Sequence, residues 1–253
     1  MKQDTPRGLT RRQLIFSSMT GLAAGAAATA KAKAATLTGI PPWQPFDHNG
    51  PMHYDSPGWR FFTDDEVREV TAIVDRLIPA DELSVSGSDA GCVVFMDRQL
   101  AGSYGEASRL YMAAPFQEGT PEQGDQSRFT PRERVRLGLT GLEKLCQSRH
   151  RQSFSGLTAE QQDGLLAELE KGGVALEGMD SKLFFEQVLG NTMEGFFGDP
   201  IYGGNRDMVS WKMIGFPGAR YDYRRYIALH NQKLDLVPIS IIGGDSWNAR
   251  ASK

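Results

Sequence analysis

Apolar residues recur at helical spacing in several stretches of the chain, and three of these stretches begin with a capping box. In a capping box a Thr or Ser precedes the helix and a Glu or Gln follows three residues later, so that each side chain bonds the other's backbone N–H. The three pairs are Thr63 and Glu66, Thr130 and Glu133, and Thr158 and Gln161. Each pair is followed by an apolar stripe of helical period, such as Val67, Val70, Ile73, Val74 and Leu77 after the first. These stretches predict three amphipathic helices with defined starts.

Two further helices are predicted, one from about Asp89 to Ala101 and one from Ser181 through KLFFEQVLGNTMEGFF. Strand-like alternation is almost absent apart from the tail segment LVPISII. The sequence therefore predicts a mainly α fold, with a single helical domain over residues 61–253 and long Gly-rich loops near its C-terminal end. Residues 36–60 contain five prolines and no helical period, which predicts an extended arm ahead of the domain.

The first 35 residues have the organisation of an export signal. The pair Arg11–Arg12 precedes a mildly apolar run, and the small-residue steps Ala30-Lys31-Ala32 and Ala32-Lys33-Ala34 follow it. The twin arginine and the Ala- and Gly-rich run are typical of the Tat class of signal peptides. The alternative is a membrane anchor, for which a weakly apolar run of about 17 residues is short. We expect residues 1–35 to be a Tat signal, cleaved after Ala34 or Ala35, and the protein to be periplasmic.

The charge balance of the remaining chain argues against nucleic acid as a partner. The whole chain has a formal net charge of −3, and the part after residue 35 keeps 22 basic and 30 acidic residues. Phosphate backbones are bound by basic faces, and no Lys/Arg stripe with interleaved aromatic residues is present.

The Tat route carries folded proteins, so either this chain binds a cofactor or it travels with a protein that does. The chain contains no G-x-G-x-x-G between a strand and a helix, no P-loop, no G-x-S-x-G and no C-x-x-C-H. Of its four histidines, only His48 and His53 lie near acidic residues, within the proline-rich arm. We therefore predict no cofactor, metal or catalytic residue in this chain and expect the cofactor on a second subunit.

Cys92 and Cys146 are the only cysteines. In an oxidising compartment they are expected to form a disulfide between two helices, which in the chain-entropy description contributes about 4 kcal/mol. The alternative is two separately buried thiols.

The chain resembles the gluconate 2-dehydrogenase subunit 3 family. The resemblance rests on FFTDDEVREVTAIVDRLIPAD, on VVFMDRQLAG, and most specifically on G-N-x(5)-W-K-x-I-G-F-P-G from Gly204 to Gly218. It implies the small (gamma) subunit of a membrane-associated dehydrogenase for sugars or sugar acids. In such complexes a large subunit carries FAD and catalysis, and a cytochrome c subunit carries haem c. The small subunit, itself not catalytic, carries the Tat signal read by the translocase, and acts as a chaperone-like carrier that exports and stabilises the large one.

The segment GDPIYGGNRDMVSWKMIGFPG, Gly198–Gly218, is glycine-rich and yet apolar and aromatic, unlike most connecting loops. Aromatic residues and Arg dominate the energetics of interfaces, so we interpret the segment as a docking surface for the catalytic subunit. The expected contact residues are Tyr202, Asn205, Arg206, Trp211, Phe216 and Tyr221. Three alternatives stay open: core packing of Trp211 in a short helix, a contribution to the partner's flavin pocket, and docking through the arm. The rival function is a stand-alone exported oxidoreductase with an unrecognised active site.

Overall fold

The chain forms six α-helices within the residues that the structure, a computed structural model, describes. These residues are 58–117, 119–123, 126–219, 223–234 and 236–241. The helices are α1 (Asp64–Leu77), α2 (Cys92–Ala101), α3 (Pro131–His150), α4 (Ala159–Glu170), α5 (Ser181–Phe197) and α6 (Val209–Ile214). The predicted signal and most of the predicted arm lie outside the described residues.

The three predicted capping boxes are all formed, and they set the first residues of α1, α3 and α4. At α1 the backbone N–H of Glu66 donates to Thr63 Oγ1 at 3.3 Å, and the N–H of Thr63 donates to Glu66 Oε2 at 2.8 Å. The helix predicted from Asp89 begins instead at Cys92. Gly91 precedes it with φ of 89°, a left-handed conformation that a right-handed helix cannot contain.

The longest apolar helix, α5, lies at the centre of the fold and packs against α1, α2, α3 and α4. Its buried side chains recur at helical spacing along one broad face, and Lys182, Glu186 and Gly190 on the opposite side are exposed. The buried ones include Phe184, Val188, Thr192 and Phe196. The core continues through the predicted inner faces of α1, α3 and α4. No strand occurs among the described residues, so the prediction of a mainly α fold is confirmed.

The chain enters this helical domain through a buried attachment that the sequence did not indicate. The carboxylate of Asp97 in α2 is fully buried and accepts the backbone N–H groups of Arg60, Phe61 and Phe62 at 2.9–3.1 Å. It also pairs with Arg98 Nη1 at 2.6 Å. Three consecutive backbone donors are thus satisfied by one side chain, which fixes the course of the backbone just before α1.

Arg136 of α3 holds the same entry segment from a second helix. Its Nη2 donates to the carbonyl of Phe61 at 2.8 Å, and its guanidinium lies 4.5 Å from the centroid of the Phe61 ring. Its Nη1 pairs with Glu66 of the capping box at 2.7 Å. The residues that precede α1 are therefore bound to both α2 and α3.

Candidate functional site

The Gly198–Gly218 loop leaves the end of α5 and is built of short helical turns rather than irregular chain. Pro200–Tyr202 forms a single 3₁₀ turn, Arg206–Met208 forms a tight turn with left-handed residues, and α6 follows directly. The Asp199 side chain accepts the N–H of Ile201 at 2.9 Å and so caps the first turn. The loop therefore has a defined backbone shape over most of its length.

Asn205 braces this loop from inside. Its side chain is completely buried; its Nδ2 donates to the carbonyl of Gly198 at 2.9 Å, and its Oδ1 accepts from Ser210 N and Ser210 Oγ at 3.1 and 2.8 Å. The next residue, Arg206, donates its backbone N–H to the carbonyl of Ala90 at 2.8 Å. These contacts join the start of the loop to α6 and to the chain ahead of α2.

Trp211 is the second internal support. Only 5% of its surface is exposed, and its indole N–H donates to the carbonyl of Phe197 at 2.8 Å. The Phe216 ring packs edge-on against it with 5.1 Å between centroids. The side chain thus fills the space between α6 and the C-terminal end of α5, where it satisfies a carbonyl of the last helical turn.

One glycine shows how closely the loop backbone approaches α5. A Cβ on Gly204 would lie 2.0 Å from the carbonyl oxygen of Gly195 in that helix. No side chain can occupy that space without moving the backbone, so the close approach requires glycine at Gly204.

The loop also holds unfavourable backbone conformations. Asn205, Asp207 and Met208 have φ of 44°, 56° and 56°. For residues other than glycine, each such conformation costs on the order of 1–3 kcal/mol and persists only where surrounding contacts impose it. Met208 is buried, and its N–H bonds the carbonyl of Asn205 at 2.8 Å, so packing holds this turn in place.

The outward side of the loop carries several large apolar side chains beside the charged residues Asp207 and Lys212. Tyr202, Ile214 and Phe216 are 47%, 56% and 43% exposed, and Met213 is also exposed. These are the residue types that protein interfaces favour over ordinary surface. Arg206 is exposed as well. The loop therefore presents large apolar side chains on a fixed backbone.

The structure separates the predicted contact residues into two groups. Tyr202, Arg206 and Phe216 are exposed, whereas Asn205 and Trp211 are buried. Burial revises the expected role of the second group from partner contact to support of the loop. Tyr221 lies outside the described residues, as do Arg11 and Arg12.

A groove of about 540 Å³ lies between α1 and α3. Its acidic side chains include Glu66 and Glu69, which serve the fold: Glu66 belongs to a capping box and pairs with Arg136, and Glu69 accepts the N–H of Ser155 at 3.0 Å. Within the described part of the chain, no group of three or more His, Cys, Asp or Glu side chains could hold a metal ion.

Cys92 and Cys146 are buried free thiols in this structure, so the predicted disulfide is not formed in it. Burial, together with nearby carboxylates, raises the pKa of each thiol to about 12; the carboxylates are Asp75 for Cys92, and Glu143 and Glu69 for Cys146. Asp75 and Glu69 are six residues apart on α1, which corresponds to about 9 Å along the helix axis. The two thiols thus lie in different electrostatic surroundings.

We expect neither thiol to react with iodoacetamide in the folded, exported protein at pH 8, because the thiolate is the nucleophile and both groups stay protonated and covered. In denaturant without reductant, mass spectrometry should find two alkylated cysteines. A reduced and denatured sample provides the control for complete labelling. If neither cysteine is labelled in denaturant without reductant, the disulfide that the sequence predicts is established. Labelling of the native protein would contradict the burial of the two thiols.

Comparison with known proteins gives a match to a family model. The family model for gluconate 2-dehydrogenase subunit 3 matches residues 64–218, from the first residue of α1 to the last residue of the loop. No curated protein and no solved structure matches the chain. In the described residues, none of the helices has both the length and the apolar character needed to cross a bilayer.

Proposed function

The chain belongs to the gluconate 2-dehydrogenase subunit 3 family, and from this premise we propose that it is the non-catalytic small subunit of an FAD-dependent dehydrogenase for sugars or sugar acids. Its activity is binding. It docks to the folded, FAD-loaded catalytic subunit, exports it to the periplasm through the Tat signal that contains Arg11 and Arg12, and afterwards stabilises it there. A cytochrome subunit carrying haem c passes the electrons on, and the complex associates with the cytoplasmic membrane.

The proposal that this chain docks to the catalytic subunit rests on one observation, the large apolar side chains that the ordered Gly198–Gly218 loop exposes. A surface that is already ordered loses little conformational entropy when a partner binds, so more of its contact energy is available for affinity. Asn205 and Trp211 provide this order from beneath, and Tyr202, Ile214 and Phe216 are exposed above them. The family match extends across the whole loop to Gly218, which supports a role for this segment in what the family shares.

The export part rests on the sequence. A twin-arginine segment on this chain gives an FAD-loaded partner a route across the membrane after it has folded, without a signal of its own. The partner would then depend on this chain twice, once for recognition by the translocase and once for the contact that keeps the two together. These two dependences can be separated by mutation.

We expect co-expression with the catalytic subunit, followed by cell fractionation, to give two different outcomes for two variants. Arg11→Lys with Arg12→Lys should leave both proteins in the cytoplasm, because the signal is lost. Ile214→Asp with Phe216→Asp should leave only the partner there, because charge on the docking face breaks the complex while the signal stays intact.

Leu83→Asp provides the matched control, since this leucine is 70% exposed in the segment between α1 and α2. With this variant both proteins should reach the periplasm. Thermal melting should show that all three variants are folded. A partner that reaches the periplasm beside the twin-lysine variant would overturn the carrier role. A partner that still follows the Ile214 and Phe216 variant would overturn this docking face.

A further inference from the structure

The last described residues of the chain, 236–241, lie against the Gly198–Gly218 loop. We call them the C-terminal strap. Gly218 and Ile239 pair as an isolated parallel bridge, in which Ala219 N donates to Ile239 O at 2.6 Å and Ile239 N donates to Pro217 O at 3.3 Å. Gly218 has φ of 77°, and a Cβ there would lie 2.2 Å from the Ile239 carbonyl oxygen. The strap is therefore in direct backbone contact with the end of the loop.

The strap also holds the beginning of the loop, through Asp199. Ser240 Oγ donates to Asp199 Oδ1 at 2.6 Å, and Ile241 N donates to Asp199 Oδ2 at 2.7 Å. Asp199 and Ser240 are both buried. The same carboxylate caps the first turn of the loop through the N–H of Ile201. One short segment thus binds both ends of the loop, and hydrogen bonds to a carboxylate are among the stronger ones.

The loop needs such a restraint because its backbone is in an unfavourable conformation. Asn205, Asp207 and Met208 adopt left-handed φ angles, which a free chain would leave. Asn205, Trp211 and the close contact at Gly204 restrain the middle of the loop from the side of α5. The strap is what joins its two ends, at Asp199 and at Gly218.

We propose that the C-terminal strap is a conformational clamp, which holds the Gly198–Gly218 loop in the shape that presents its outward face. Val237 and Ile241 of the strap are themselves exposed, so a partner that covers the loop would meet the clamp as well. Release of the strap would change the shape of the face without altering any of its exposed side chains. Only the consequence for partner binding rests on the proposed function; the clamp is a property of this chain alone.

Hydrogen–deuterium exchange on the purified full chain tests the clamp. Ser240→Ala removes the hydroxyl donor to Asp199, and Ile241→Pro removes the backbone donor. In the double variant we expect the amides of residues 201–216 to exchange at least about tenfold faster, since a hydrogen bond to a charged group contributes enough for that factor. Ser240→Ala alone should give a smaller change in the same direction.

Val237→Ala is the matched control, because this residue belongs to the strap but its side chain is 61% exposed and its backbone donor is kept. It should leave loop exchange unchanged, and α3 amides should be unchanged in every variant. Unaltered exchange of the loop amides in the double variant would overturn the clamp. An equal increase of exchange in all helices would also overturn it, because the strap would then stabilise the whole domain rather than the loop. Faster loop exchange with undiminished export of the partner would support the clamp and count against the docking face instead.

Discussion

Replacing Asp97 by alanine is expected to lower the free energy of unfolding by about 3–5 kcal/mol, the usual result of removing one member of a buried ion pair. The substitution leaves Arg98 Nη1 without its carboxylate and three backbone N–H groups, of Arg60, Phe61 and Phe62, without their acceptor. Each buried donor left unmatched adds its own desolvation penalty. Urea denaturation followed by circular dichroism measures the loss.

Two companion variants show whether the buried carboxylate is the cause. Asp97→Asn keeps an acceptor oxygen but not the charge, so its loss should be intermediate. Asp163→Ala removes an acid that is half exposed and pairs with Arg76 on the surface, and it should cost far less stability than Asp97→Ala. Equal losses for Asp97→Ala and Asp163→Ala would contradict the importance of the attachment.

Trp211→Ala is expected to destabilise the isolated subunit by about 3–5 kcal/mol, because it removes a large buried ring and leaves a cavity. It also takes away the indole N–H that the carbonyl of Phe197 accepts, at the end of α5. Thermal melting of the purified subunit should show the loss without any partner present. The sequence favoured a docking contact for Trp211, with core packing as the alternative, and its 5% exposure assigns it to the core.

Phe216→Ala is the informative control for Trp211. The two rings contact each other edge-on, but Phe216 is 43% exposed, so its removal should cost only about 1 kcal/mol in stability. Its effect should appear in the association with the catalytic subunit.

Trp211→Phe separates packing from hydrogen bonding, since it keeps a ring and loses the N–H. A normal melt for Trp211→Ala would contradict the core assignment.

The elements that the sequence predicted best are those specified by neighbouring residues. A capping box is complete within four residues, and all three boxes, including Thr63 with Glu66, form as expected. The long apolar helix from Ser181 is also found with its predicted start, because Asp180 caps it by accepting the N–H of Leu183 at 2.7 Å. Local chemistry is sufficient for these elements.

The site was harder to predict because its key contacts join residues far apart in the chain. The sequence around Trp211 is compatible both with a contact to a partner and with packing against the end of α5. Only the three-dimensional position of Phe197, whose carbonyl accepts the indole N–H, distinguishes the two. Asp97 looks like an ordinary polar position of an amphipathic helix until residues 60–62 are placed on it. The alternation of residue types in LVPISII was the one feature of the sequence that indicated ordered structure in the strap. The residue that accepts its hydrogen bonds, Asp199, is some forty residues away in the chain, so the contact itself could not be predicted.

The attachment at Asp97 also determines how a mechanical load enters the domain. Tension on the chain ahead of Gly58 acts first on the backbone of Arg60–Phe62, and the bonds to Asp97 and Arg136 transmit it to α2 and α3. The capping box of α1 comes next along the chain and is loaded only after those bonds break. A domain pulled by its leading end would therefore be loaded at this attachment first, and its initial resistance to extraction would depend on the bonds to Asp97 and Arg136 and on the burial of Phe62.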